Sequence, residues 1–259
     1  MDREPVCVER VGSAIVLTIN RPQAANAIDL ATGQALGYAI AAAEQSDARA
    51  IVVTGAGERF FCAGGDLKAY KSIETSEELD RTFGTIRAVL QQIEQTPVTV
   101  IAAINGYALG GGLELALACD LRIATRQAQL GMPQSRLGII PGWNGAERLV
   151  ETVGRSKALH LLLTGEQLDA GQAAGMGLVD RVVDGSALEA GIAYADELQQ
   201  SAPLALRASK QVVMSALRDG RSEAEGLTSD LFRKLWFSMD HREAERAFTE
   251  KRRPRFEGK

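Results

Sequence analysis

The amino-acid sequence predicts an α/β fold, and three features of its pattern lead to that prediction. Short apolar runs alternate with segments of helical periodicity through the first half of the chain. Residues 98–104 form an apolar run without polar alternation, which is typical of a strand buried on both faces of a sheet. From about Ser186 the pattern is helical and no further strand is predicted. We therefore expect strands joined by crossover helices, followed by a helical region.

The first half of the chain gives three strands and two helices. The strands are predicted at residues 14–20, 50–54 and 98–104. The first ends at Asn20-Arg21-Pro22, a sequence typical of turns. Asp29 is a candidate N-cap for a helix that runs to about Glu44. A polar helix is predicted around residues 76–95.

The second half ends in helices and a basic tail. Helical patterns cover residues 188–200 and 204–217, and Pro203 between them suits a first helical turn. A third pattern covers residues 229–238, and we expect its large apolar side chains to pack on the main domain or on a neighbouring subunit. The tail, residues 250–259, is basic and expected to be extended.

Composition excludes several classes of protein. The 259 residues carry a net charge of −4, whereas a general nucleic-acid binder needs a basic surplus. No apolar run approaches the length of a membrane span, and the charged N-terminal segment lacks the apolar region of a secretory signal. Cys7, Cys62 and Cys119 are odd in number and scattered, which fits reduced thiols. We expect a cytoplasmic protein.

A triple glycine is the most informative feature. Gly110, Gly111 and Gly112 connect a buried strand to a helix that carries Glu114 in its first turn. The first amides of a helix have no intrahelical partner, and the helix dipole favours negative charge beside them. An oxygen that gains charge during a reaction would therefore be stabilised near Gly111. The alternative is a glycine turn that packs the helix on the sheet and leaves Glu114 solvated.

A second glycine turn follows two aromatic residues, within residues 59–68. The Ala63 amide there is a candidate second donor, and Asp66 is a candidate cap for a short helix. Two backbone donors that converge on one oxygen form an oxyanion hole. Considered alone, this segment is better explained as an ordinary turn with a helix cap.

Other chemistries have less support. The chain contains neither a P-loop nor the dinucleotide-binding glycine pattern, and no cluster has the spacing of metal ligands. Cys62 is a weak candidate nucleophile, because His160 and His241 are the only histidines that could activate it. We interpret Cys62 as a buried structural residue and expect no cofactor.

Together, these segments resemble the crotonase (enoyl-CoA hydratase/isomerase) family. Phe-Cys-Ala-Gly-Gly-Asp-Leu at residues 61–67 resembles its first oxyanion loop, and Asn-Gly-Tyr-Ala-Leu-Gly-Gly-Gly-Leu-Glu-Leu-Ala at residues 105–116 resembles its second. Further matching segments are residues 20–22, 26–27, 119–124, 137–142, 163–165, 174–179, 202–205 and 247–254. The resemblance covers essentially the whole chain.

The resemblance implies a fold, a substrate class and an assembly. It implies a spiral of strand-strand-helix units with an acyl-CoA site in residues 1–195, and a helical region for subunit packing in residues 196–259. Family members are usually trimers or dimers of trimers.

The resemblance also implies roles for individual residues. The Ala63 and Gly111 amides would bind the thioester oxygen, with Glu114 as the catalytic carboxylate. The residues expected along coenzyme A are Ala24, Ala25, Asp66 and Leu67, with Lys251 at its phosphates. Trp143 is interpreted either as a wall of the acyl pocket or as plain packing.

One departure from the family leaves the reaction open. Family hydratases usually carry a second glutamate twenty residues after the first, and that position is Gln134. An amide orients water but cannot exchange a proton at neutral pH. Three readings follow: a hydratase or dehydratase in which Gln134 positions water, an isomerase or other single-carboxylate enolate enzyme, and a non-catalytic acyl-CoA-binding subunit. Glu147 is a candidate substitute for the missing carboxylate.

Overall fold

Ten strands pair into two sheets in the computed structural model, which describes residues 4–259. The large sheet has the order β1 (Val6–Val11), β2 (Ala14–Ile19), β3 (Ala50–Gly55), β5 (Thr99–Ile104), β7 (Leu121–Thr125) and β10 (Arg181–Val183). The small sheet has the order β4 (Phe60–Cys62), β6 (Tyr107–Leu109), β8 (Gln129–Gly131) and β9 (Gln167–Asp169). Pairing is parallel except for β1 with β2 and β8 with β9.

The helices follow pairs of strands. They are α1 (Leu30–Glu44), α2 (Leu67–Tyr70), α3 (Ser76–Gln95), α4 (Gly111–Ala118), α5 (Gly145–Val153), α6 (Arg155–Thr164), α7 (Ala170–Met176), α8 (Ala187–Glu197), α9 (Pro203–Arg218), α10 (Arg221–Trp236) and α11 (Met239–Thr249). In β3-β4-α3, β5-β6-α4 and β7-β8-α5, the first strand joins the large sheet and the second joins the small one. This repetition confirms the predicted spiral of strand-strand-helix units.

The predicted elements of the first half are close to the observed ones. The Asp29 carboxylate accepts a hydrogen bond from the Thr32 amide at 2.8 Å and caps α1 as expected. The polar helix at residues 76–95 is α3, and the run at 98–104 contains β5, whose residues from Val100 onward are buried. The central strands have no polar face because helices cover both sides of the large sheet, with α8 on one side and α1 and α3 on the other.

After β10 the chain is helical or irregular up to residue 259, as predicted. The expected helix at residues 229–238 is the second half of α10, which begins at Arg221, so that prediction was too short. The missed part, Arg-Ser-Glu-Ala-Glu-Gly-Leu-Thr, is too polar to give an apolar stripe. The boundary predicted between residues 195 and 196 falls in the last turn of α8, and the division into two regions stays a prediction.

The tail lacks regular secondary structure but is attached to α11. The buried carboxylate of Asp240 accepts hydrogen bonds from the amides of Glu257 and Gly258, at 2.7 and 3.0 Å. Among the described residues, no helix is both long and apolar enough to cross a membrane.

Candidate active site

The two glycine turns meet where β4 and β6 lead into α2 and α4. A Cβ at Gly112 would lie 1.9 Å from the carbonyl oxygen of Cys62, and a Cβ at Gly64 would lie 2.9 Å from the amide nitrogen of Gly111. Gly64 also has a φ of +101°, which disfavours any other residue. Glycines are required here because two backbones are in direct contact.

Several amides in these turns have no hydrogen-bond partner among residues 4–259. They include those of Gly111 and Gly112, at the start of α4, and that of Gly65. The Ala63 amide, in contrast, donates to the carbonyl oxygen of Ala25 at 3.1 Å. The expectation that Ala63 supplies the first donor is corrected on this point, since its amide is already used within the chain.

The sequence could not show which of the Ala63 and Gly65 amides is free to bind a ligand, because this depends on the carbonyl group of Ala25, which is far away in the chain. Ala25 follows a short 3-10 helix, Pro22–Ala24, and adopts the left-handed conformation with φ 53°. Its carbonyl then reaches Ala63, 38 positions further along the chain. In the structure a Cβ at Gly65 would lie 2.4 Å from the ring of Tyr70, so only glycine fits there.

Glu114 is buried beside the Gly111 amide, and both of its oxygens are hydrogen-bonded. Oε2 accepts hydrogen bonds from the amides of Trp143 and Gly145, each at 2.8 Å. Oε1 accepts one from Nε2 of Gln134 at 3.2 Å. Residue 134, the position at which family hydratases usually carry their second glutamate, thus lies next to Glu114. Glu114 is not the solvated carboxylate of the alternative interpretation.

Burial raises the pKa of the Glu114 carboxyl above its ordinary value. The Trp143 and Gly145 amides, the charge of Arg148 and the Gln134 amide oppose this effect without cancelling it. A carboxylate with increased proton affinity is a better base, and its acid form remains able to return the proton. The geometry therefore provides one group for proton transfer next to unpartnered backbone donors.

Gln134 and Trp143 complete the surroundings of Glu114. Gln134 lies in the 3-10 segment Pro133–Leu137, and its buried Oε1 has no hydrogen-bond partner in the described chain. The Trp143 ring lies against Gly111, since a Cβ there would be 2.2 Å from the ring. Its buried Nε1 also lacks a partner in residues 4–259. Both side chains border the predicted site and keep unused hydrogen-bonding capacity.

Arg148 on α5 was not found from the sequence. Its guanidinium, on a residue only 6% exposed, donates to the carbonyl oxygen of Trp143 and to both oxygens of Glu94, at 2.6 and 2.9 Å. Glu94 belongs to α3 and lies 54 positions away in sequence. The available signal was weak: an arginine on the apolar face of a short helix, next to Leu149.

The coenzyme A residues predicted near the first turn lie around Arg21. Arg21 donates to the Asp66 carboxylate at 2.9 Å, and Asp66 accepts hydrogen bonds from Lys68 and Ala69 to cap α2. Leu67 is exposed, whereas Ala24 and Ala25 are half-buried. Ile28 forms a β-bridge with Gly65. These residues are therefore adjacent to the glycine turns, although their contact with coenzyme A stays a prediction.

Lys251 lies apart from these residues within one chain. Among residues 4–259, no hydrogen bond or ion pair joins residues 251–259 to the two glycine turns. Lys251 is exposed, while Arg252 is paired with Glu243 and Glu250. The Arg252 guanidinium lowers the pKa of Glu243 to about 2. Lys251 is thus free for a ligand, whereas Arg252 has a structural role.

A largely apolar cavity of about 660 Å³ lies between α3 and the segment 138–142. It is lined by Leu79, Asp80, Phe83, Arg87, Gly138, Ile139, Ile140 and Gly142. Gly142, the neighbour of Trp143 in sequence, is part of this lining, and Arg87 donates to the Gly142 carbonyl at 3.1 Å. The cavity lining therefore ends one position before Trp143, whose amide binds Glu114.

Two alternative chemistries find no support. Burial raises the pKa of the Cys62 thiol to about 12, so its nucleophilic thiolate is scarcely populated at neutral pH. His160 is exposed and pairs with Glu166 instead. Glu147, the candidate substitute carboxylate, lies on the exposed side of α5.

The sequence as a whole agrees with this geometry. The family model described as enoyl-CoA hydratase/isomerase matches residues 9–259. The chain belongs to this family. This enoyl-CoA hydratase/isomerase family member is 38% identical over 256 residues to a short-chain-enoyl-CoA hydratase of Clostridium acetobutylicum, covering 98% of this chain and 97% of that one. It is 39% identical over 253 residues to an enoyl-CoA isomerase/hydratase of Mycosarcoma maydis, covering 94% and 92%.

Solved structures agree as well. An enoyl-CoA hydratase from Bacillus anthracis superposes with a TM-score of 0.94 at 34% identity, over 98% of this chain and all of the other. The family member described here is therefore an enzyme with the crotonase fold. One relative is named for hydration and the other for isomerisation as well. The names of the relatives therefore do not decide which of the two reactions this chain catalyses.

Proposed function

We propose that this enzyme adds water to 2-enoyl-CoA thioesters, or removes it in the reverse direction, through an enolate held in an oxyanion hole. The observation that carries the proposal is the buried Glu114, hydrogen-bonded to Gln134 and placed beside the unpartnered amide of Gly111. The amides of Gly65 and Gly111 are the proposed donors to the thioester oxygen. Removing one such donor typically costs about 3 to 4 kcal/mol of transition-state stabilisation.

The proton balance of the reaction requires only one carboxylate. The Glu114 carboxylate takes a proton from a water molecule whose other hydrogen is donated to Oε1 of Gln134. The water oxygen attacks the β-carbon, and the electron pair of the double bond moves to the thioester oxygen as the enolate forms. Glu114 then returns its proton to the α-carbon. The product is a 3-hydroxyacyl-CoA, and Glu114 is again ionised.

The apolar cavity beside Gly142 supports an acyl substrate, because an alkyl chain is stabilised by removal from water. We propose that the chain passes Trp143 into this cavity, while Ala24, Ala25, Asp66 and Leu67 border the coenzyme A. The expectations of a cytoplasmic enzyme without a cofactor, assembled as a trimer or a dimer of trimers, also belong to this proposal.

Isomerisation is the second candidate, and Gln134 is the observation that favours it. A single carboxylate can remove a proton at one carbon and return it at another, so an uncharged neighbour is no disadvantage.

One experiment separates these readings. The protein is incubated in D2O with 2-enoyl-CoAs and 3-enoyl-CoAs of increasing chain length, and the products are identified by mass spectrometry. Hydration predicts 3-hydroxyacyl-CoA with deuterium at the α-carbon. Double-bond migration without added water would support isomerisation instead. Tight binding without turnover at any chain length would exclude both enzymatic proposals.

A further inference from the structure

We infer that Arg148 is a positioning residue that holds the Trp143–Gly145 segment, and through it the Glu114 carboxylate, in the geometry needed for proton transfer. The inference rests on the proposed function of Glu114 as the proton-transferring group. Arg148 itself is not proposed to touch the substrate.

The contacts form a continuous chain from α3 to Glu114. Glu94 on α3 binds the Arg148 guanidinium through two hydrogen bonds, which fix its plane. The same guanidinium binds the carbonyl oxygen of Trp143. The amides of Trp143 and Gly145 then bind Oε2 of Glu114. Arg148 therefore fixes a peptide segment whose amides set the position of that oxygen.

There is little room for adjustment at this point. A Cβ at Gly145 would lie 2.3 Å from Cγ of Glu114, and the Trp143 ring lies against Gly111. A shift of the segment would therefore move the carboxylate and the ring together. Misplacement of a reacting group by about 1 Å can cost about a hundredfold in rate.

The charge of Arg148 acts in the same direction as the amides of Trp143 and Gly145, since each of them lowers the pKa of the Glu114 carboxyl against the effect of burial. The other ionisable groups on elements packed against α4 are differently disposed. On α3, Glu94 is paired with Arg148 and Arg87 binds Gly142. On α5, Glu147 and Glu151 are exposed. The Cys62 thiol on β4 has its pKa raised to about 12, and Asp120, after the far end of α4, is paired with Lys210.

The chain offers a matched control for Arg148. Arg122 is equally buried, pairs with Asp180 at 2.9 Å and donates to the Cys119 carbonyl at 2.9 Å, but it lies beyond the opposite end of α4 from Glu114. A loss of activity caused only by breaking a buried ion pair would appear in both arginine variants. A loss caused by the contact with the Trp143–Gly145 segment would appear in one.

The test compares Arg148→Met, Arg148→Lys and Arg122→Met. The pKa of Glu114 is measured without substrate, from the infrared carboxylate band that each protein loses when Glu114→Gln is added. We expect the pKa to be higher in Arg148→Met than in the wild type, nearly restored in Arg148→Lys and unchanged in Arg122→Met. With the substrate turned over, kcat should fall by about a hundredfold in Arg148→Met with a smaller change in KM, and its acid limb should move to higher pH.

An unchanged Glu114 pKa in Arg148→Met, or an equal change in Arg122→Met, would overturn the inference. Should Arg148→Met fail to fold because Glu94 is left unpaired, the Arg148→Met/Glu94→Gln variant takes its place with the same expected direction. The infrared measurement does not need turnover. Failure of the proposed reaction and failure of this inference are therefore observed separately.

Discussion

At the scale of single residues, the chemistry of Glu114 follows from where its hydrogen-bonding capacity is used. Oε2 accepts two amide hydrogen bonds, and Oε1 accepts one from Gln134. A carboxylate oxygen has two lone-pair sites, so one site on Oε1 remains for a proton. Glu114 is therefore built to exchange protons at a single position.

The first prediction concerns Glu114→Gln. The side chain keeps its size and can still accept the two amide hydrogen bonds, but it cannot take up a proton. We expect turnover to fall by about a hundred- to ten-thousandfold, the usual contribution of one general acid–base. Steady-state kinetics measure the loss, and Glu147→Gln on the exposed side of α5 is the control. Equal activity of Glu114→Gln and the wild type would contradict the assignment.

The second prediction uses the raised pKa of Glu114. A carboxyl whose pKa is higher in the folded state stabilises the fold fully below its unfolded pKa, and this contribution is lost as pH rises through the folded pKa. Glu114→Gln has no such loss. We therefore expect the free energy of unfolding of Glu114→Gln, relative to that of the wild type, to increase from pH 4 to pH 7. The increase should be about 1.4 kcal/mol for each unit of pKa shift. Urea unfolding at both pH values tests this, and an advantage that shrinks with pH would be the contrary result.

The sequence predicted some of these residues and missed others for a physical reason. Glu114 and Gln134 were recognised because each lies in a motif that is contiguous in sequence. Gly65 was missed because its amide is singled out only when the distant Ala25 carbonyl occupies the Ala63 amide, and Arg148 was missed because its partner Glu94 is far away in the chain. Contacts of this kind come from the tertiary fold and leave little trace in local patterns.

At the scale of secondary-structure elements, α4 and the turn after β4 form one unit. Gly64 and Gly112 allow the two backbones to touch, and this contact places the Gly65 and Gly111 amides in adjacent segments. The long elements α1 and α3 were predicted from periodicity and capping. The three-residue strands β4, β6 and β8 were not, because so few residues show no period.

The third prediction is that Gly64→Ala disables the site. The methyl group would lie 2.9 Å from the Gly111 nitrogen and would force a non-glycine residue to φ +101°. We expect kcat/KM to fall at least about a hundredfold, as for loss of an oxyanion donor. Gly175→Ala on α7, where a Cβ has open space, is the matched control. A Gly64→Ala enzyme with normal kinetics would mean that the Gly111 amide is not used.

At the scale of the whole molecule, two features of the described chain bear on the predicted assembly. Lys251 has no contact with the glycine turns, and large apolar side chains remain exposed on the C-terminal helices. These are Phe232, Trp236, Phe237, Met239 and Phe248. The sequence predicted apolar residues on the late helix and left open whether they pack on the main domain or on a neighbouring subunit; in the described chain Phe232 and Trp236 stay exposed.

The fourth prediction is that Lys251→Ala weakens coenzyme A binding. If Lys251 binds the phosphates of coenzyme A, removal of its charge should raise the dissociation constant. It should also reduce the salt dependence of that constant, because less electrostatic attraction is left for salt to screen. Lys259→Ala is the control, since that side chain is paired with Glu257. Titration calorimetry at two salt concentrations measures both effects. An unchanged dissociation constant would make the basic tail an ordinary solvated surface.

The fifth prediction concerns assembly. Phe232 is 60% exposed on α10 and lies 5.6 Å, centroid to centroid, from the ring of Trp236. An exposed aromatic pair of this kind is typical of an interface, and a charge buried there without a partner is strongly unfavourable. We expect the wild type to have a mass of three or six times 27.7 kDa in light scattering, and Phe232→Glu to shift toward the mass of one chain. Tyr38→Glu, at an exposed aromatic residue on α1, should leave the mass unchanged. A Phe232→Glu protein that keeps the wild-type mass would place the subunit interface on another surface.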